Sequence, residues 1–194
     1  IEQVKKDAES SLTSLASKKS TSRVGTIKQD SEDYFDLTIK ACNNSLTYLD
    51  YSVTLVDVGE SLQATGGSVN SLTDAIASFE SAQNSIGDSI DKLKKTTPPA
   101  GIEDFHKDLI AALEDLDEVL GKMNTALKTG DLTALETYSN ELMTSTTKLV
   151  ALDTPTSEEI SQNILSTDET NKLNGLPAKI STEADQIANK KIVF

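Results

Sequence analysis

From Ile102 to Leu127 the large apolar residues fall at steps of three and four: Ile102, Phe105, Leu109, Leu113, Leu116, Leu120, Met123 and Leu127. That spacing gathers them on one face of an α-helix. Glu103, Asp104, Asp108, Glu114, Asp115, Asp117 and Glu118 stand between them and predict an acidic outer face. The same period runs through Val69, Leu72, Ile76, Phe79, Ile86, Ile90 and Leu93, with Gln83 as a polar interruption. It returns in Leu132, Leu135, Tyr138 or Ser139, Leu142, Thr146 and Leu149. No segment alternates apolar and polar residues as a half-buried strand would, so the chain reads as all-α.

Punctuation residues set the expected ends. Gly66-Gly67 leads into the helix that Ser68 or Ser71 caps, and Pro98-Pro99 stops it, because proline supplies no N–H to the helical ladder. Gly130 reads as a C-cap and Asp131 as the N-cap of the next helix, which ends near Pro155. After Ser157, two short helices are expected, broken at Gly175-Leu176-Pro177. Val4, Ala8, Leu12 and Leu15 form a stripe before a polar stretch from Ser17 to Asp33, which reads as a helix-loop-helix or one long weak helix. From Tyr34 to Leu62 apolar residues cover most of the circumference, the mark of a helix surrounded by others. The simplest assembly is one antiparallel helical bundle spanning 1–194. It has four main helices, with shorter peripheral ones in 1–30 and 157–194.

A net charge of -13 repels the phosphates of nucleic acids and anionic lipids, so no nucleic-acid partner is expected. Arg23 is the single arginine, which removes the bidentate clamp that phosphoryl transfer favours. No apolar run reaches the roughly 20 residues of a membrane span. The first residue is Ile1, and a signal, lipid anchor or membrane helix upstream is expected, with any membrane attachment made through it. With 22 Ser and 22 Thr beside so few arginines, the composition fits an extracytoplasmic protein: secreted, cell-surface or periplasmic.

The inventory for catalysis is thin, and neither an enzyme nor a cofactor is expected. Glu103-Asp104-Phe105-His106 carries the Glu-x-x-His spacing of bundle di-iron sites, but His106 is the only histidine, so the second copy is missing. His106 then reads as a surface or interface residue at a helix start. Cys42 lies on the apolar stripe as a core thiol. Glu114, Asp115, Asp117 and Glu118 point mostly away from the apolar face as solvated surface, and Asp30, Glu32, Asp33 and Asp36 lack the spaced ligands of a calcium loop. No metal site is expected. The triplet Asn43-Asn44-Ser45 fits a glycosylation acceptor but falls in the expected buried helix. The tyrosines are the suggestive group, because a phenol inside a bundle wants a polar partner and so marks a rim, a water site or a ligand pocket. Tyr34, Tyr48, Tyr51 and Tyr138 are the candidate ligand-binding residues.

Thr97-Pro98-Pro99-Ala100-Gly101-Ile102-Glu103-Asp104-Phe105-His106-Lys107-Asp108-Leu109, continuing through Ala112-Leu113 to Thr129-Gly130-Asp131-Leu132 and Glu141-Leu142, resembles a helical module of secreted or lipid-anchored prokaryotic proteins of unassigned function. There a proline-led helix with an early histidine is followed by a Gly-Asp turn and an antiparallel partner. The likeness covers a quarter to a third of the chain. It implies a bundle at the cell surface and carries over no catalytic residue. The expected function is a non-enzymatic extracytoplasmic bundle, an envelope interaction module or small-ligand binder whose partner is a protein or small molecule. The alternative is the outer sensor domain of a chemoreceptor or histidine kinase.

Overall fold

The structure, a computed structural model, describes residues 1–19, 21, 24–63 and 71–190. The expected Gly66-Gly67 entry, the Ser68 cap and Val69 lie outside the described residues, as does Arg23. Among the described residues all regular structure is helical: α1 (Glu2–Ala16), α2 (Gly25–Gln63), α3 (Leu72–Lys95), α4 (Glu103–Thr129), α5 (Leu132–Val150), α6 (Ser157–Ile164) and α7 (Thr167–Lys190). Contacts divide the chain into two compact units, one of Ile1–Tyr48 with Thr156–Phe194 and one of Leu49–Pro155. Helix α2 contributes residues to both.

In the second unit α4 packs on α3 and on α5. Its apolar stripe faces inward as the period requires, and Val58, Ile86, Ile90, Leu93, Leu109, Leu113 and Leu120 form one core. Leu93 and Leu113 have no exposed surface. Ion pairs tie the middle and the later turns of α4 to its neighbours: Lys94 to Glu114 and Lys128 to Glu80 on the α3 side, Lys148 to Asp115 and Lys122 to Glu141 on the α5 side. Gln83, the polar interruption, hydrogen-bonds Asp117, whose carboxyl burial pushes above its usual range. A Cβ at Gly121 would sit 2.9 Å from Gln83 Nε2, the end of a flexible side chain that would have to move aside.

The capping chemistry is local. Ser71 Oγ accepts from Asp74 N and starts α3, and Asp131 Oδ1 accepts from Ala134 N and starts α5. Gly130 closes α4 at φ 70°, a left-handed conformation that costs any residue with a Cβ. Gly130→Ala and Asp131→Ala are each expected to cost about 1 kcal/mol in urea unfolding, for these two separate reasons.

The first unit is held by more polar means. Ala8, Cys42, Tyr48, Leu165 and Leu176 are buried, and Cys42 is a free thiol. Lys172 reaches Asp33, Lys40 reaches Glu169, and Asn44 Nδ2 donates to Ile164 O at 2.9 Å. Lys179 Nζ donates to Asp30 Oδ1 at 2.7 Å, while Asp30 Oδ2 is buried without a partner.

Several expectations need correction. The C-terminal break falls at Leu165-Ser166 and not at Pro177, because Ser166 and Glu169 cap α7 reciprocally and the helix continues through the proline. Buried Leu176, beside it, and the lysine pairs at 172 and 179 hold both sides of Pro177 in place. Helix α2 is not enclosed along its whole length: Leu49, Val53 and Val56 are exposed. On α5 the inward stripe is Leu135, Tyr138, Leu142, Ser145 and Leu149, with Leu132 and Thr146 exposed, because the steps of three and four are satisfied equally well by shifting one residue at two serine or threonine positions. Asn43 is exposed on α2.

Candidate functional site

The tyrosines occupy different settings. Tyr34 is half-buried with its ring edge-on to Phe35 at 5.5 Å, and Tyr48 is buried. Both belong to the first unit. Tyr51 and Tyr138 belong to the second, on α2 and α5.

Tyr51 is 2% exposed, and its hydroxyl lies 2.9 Å from His106 Nδ1, a hydrogen bond whose direction depends on the imidazole tautomer. His106, expected as a surface or interface residue at a helix start, is therefore a buried partner of another helix. The signal for this lies 55 positions away, where local periodicity does not reach. Burial pushes the Tyr51 phenol up to about 12 and holds the His106 imidazole below its ordinary value. Both groups are neutral near pH 7, a buried polar link and not a poised acid-base pair. Stability therefore depends on pH at both extremes. As pH falls through 6.5 the unfolded chain binds its histidine proton first, so stability drops toward the lower folded value. As pH rises above 10 the unfolded phenol ionises first, so stability drops again toward about 12. Urea midpoints between pH 5 and 7 should fall with acid in the wild type and stay flatter in His106→Phe.

A furrow runs between α4 and α5. Its floor is Val119 and Ser145, and the depression, of about 540 Å³, exists because Ser145 puts a small side chain in a stripe otherwise built of Leu and Tyr. Ser145 is 6% exposed, and among the described residues its hydroxyl makes no hydrogen bond within the protein. Lys148 Nζ closes one end by donating to Asp115 Oδ2 at 2.7 Å. At the other end Lys122 Nζ lies 2.7 Å from Glu118 Oε1, 3.5 Å from Glu141 Oε2 and 5.9 Å from the centre of the Tyr138 ring. The two carboxylates hold the lysine charged, above its ordinary range. Thr137, Asn140 and Thr144 supply hydroxyl and amide groups along the wall. Beyond Lys122 a second depression of about 380 Å³ continues over Tyr138 and Ala134. Of the four candidate tyrosines, Tyr138 is thus the one beside an open furrow. Sequence reasoning missed Ser145, whose only signal was a small polar residue at a core register of α5.

The acidic clusters do not converge. Asp30, Glu32 and Asp33 each face a lysine, and among the described residues no group of three histidine, cysteine or carboxylate side chains is arranged to hold a metal. No described helix is long and apolar enough to cross a membrane. Compared with protein-family models, with curated proteins and with solved structures, the chain matches none.

Proposed function

We propose that this chain is a non-enzymatic, extracytoplasmic helical bundle of the cell surface or envelope that binds a small ligand. The observation that carries the reading is the α4–α5 furrow. It sets Val119 and the Ser145 hydroxyl, which has no hydrogen-bond partner among the described residues, between charged groups at either end, so an occupant meets a small apolar contact and several convergent polar groups. Catalysis is not part of the reading, since the one histidine is engaged with Tyr51 and the one cysteine is buried. The composition supports the envelope location, with any membrane attachment made outside this sequence. The resemblance of the 97–142 stretch to surface-protein modules supports it too.

In the same reading the second half of α2, with α3, α4 and α5, makes an antiparallel four-helix arrangement. The crossed ion pairs support this: the later α3 residue, Lys94, meets the earlier α4 residue, Glu114, while Glu80 meets Lys128, and α4 pairs with α5 in the same sense. A protein partner is the second reading, supported by Leu132, Met143 and Val150, which stand 77%, 69% and 81% exposed on α5.

Native mass spectrometry of protein purified gently from its own host tests the choice. A small-molecule adduct that disappears in Ser145→Leu, whose side chain covers the furrow floor and removes its hydroxyl, is the expected result. A clean mass in the wild type contradicts the small-ligand reading, and a co-purifying polypeptide moves the assignment to the second.

A further inference from the structure

We infer that the α4–α5 furrow seats a small organic ammonium ligand, and that Lys122 is the internal cation that such a ligand displaces. The inference rests on the ligand-binding reading above and adds the chemical class. Three carboxylates line the furrow, Asp115, Glu118 and Glu141, against two ammonium groups, Lys122 and Lys148. Lys148 is matched by Asp115, so Lys122 alone serves both glutamates, close to Glu118 and loosely placed against Glu141. One negative charge is therefore incompletely met at that end. The groups around it are those that recognise an ammonium: two carboxylates, the face of Tyr138, and hydroxyl and carbonyl oxygens that accept N–H.

Ser145 is the independent observation. It lies at the bottom of the furrow, more than nine-tenths buried, with a hydroxyl that no protein group among the described residues engages, so an occupant with a polar N–H meets an acceptor there. Anionic ligands are disfavoured by the carboxylate excess and by the net charge of -13. The exchange needs no rearrangement of α4 or α5. Lys122 is partly exposed on a flexible stem, and swinging it into solvent gives up an exposed ion pair of the kind that contributes little to stability.

The test is a ¹H–¹⁵N NMR titration of the full chain with n-butylammonium chloride at constant ionic strength, run beside sodium butyrate and n-butanol. The expected result is a saturable response to the ammonium alone, centred on amides 137–145. Lys122→Met, which removes the internal competitor, should tighten binding about tenfold, and Glu141→Gln should weaken it about tenfold. Circular dichroism of both variants checks that the helices are retained. A response spread equally over other acidic positions such as Asp36, Asp50 and Glu60 overturns the inference, and so does Lys122→Met with unchanged affinity. Butyrate or butanol saturating the same amides as strongly overturns the ammonium assignment while keeping the furrow as a ligand site. Silence at 137–145 with all three probes, in both the wild type and Lys122→Met, overturns the assignment and counts against the furrow itself.

Discussion

Replacing Leu113 by alanine is expected to lower the unfolding free energy by about 3 to 4 kcal/mol, the range for a leucine whose surroundings collapse only in part. Leu113 has no exposed surface and sits on the helix that contacts both α3 and α5. Its neighbours in the core come from α2, α3 and α4, so closing the void needs more than one helix to shift. Leu132→Ala is the matched control. It makes the same chemical change at a position 77% exposed, and about 0.5 kcal/mol or less is expected. Urea unfolding of the two variants at equal m-value reads the difference. A loss below about 1 kcal/mol for Leu113→Ala would mean that the core packs far more loosely than the buried stripe indicates.

Tyr51→Ala should be about as damaging, near 4 kcal/mol, because a ring 2% exposed leaves a cavity when removed. Tyr51→Phe separates the ring from the hydroxyl. It keeps the packing and deprives His106 Nδ1 of its partner, so about 1 to 2 kcal/mol is expected. Combining Tyr51→Phe with His106→Phe tests whether the two groups act as a pair. If they do, the double variant loses less than the sum of the singles, since neither is left with an unmet polar partner. Equal losses for Tyr51→Ala and Tyr51→Phe would place the energy in the hydrogen bond and contradict the burial.

The helices were legible wherever a large apolar residue recurred at steps of three and four between clear caps. In α4 every stripe position from Ile102 to Met123 is buried or half-buried, and Gly130-Asp131 turns the chain where capping chemistry requires. Where the stripe passes through serine or threonine the period loses resolution. Tyr138 against Ser139, and Ser145 against Thr146, differ by one residue and by about 100° around the helix, so the furrow floor was not visible. Pro177 misled for a different reason: a proline removes one hydrogen bond, and contacts on both sides outweigh that loss. The burial of His106 depends on a tyrosine 55 positions away, and the exposure of Val53 depends on which helices fail to cover it. Both are tertiary facts that no local pattern carries. The furrow is likewise a product of two helices in register, which brings Lys122 to Glu141 and Lys148 to Asp115.

The most direct measurement is an NMR chemical-shift map of the ¹⁵N-labelled chain against the small-molecule fraction of its host's extract, read beside the Ser145→Leu variant. Binding in the furrow predicts saturable shifts confined to the facing stretches of α4 and α5, around residues 115–122 and 137–148, and their loss in Ser145→Leu. Shifts that settle elsewhere, or that persist undiminished in Ser145→Leu, would contradict it.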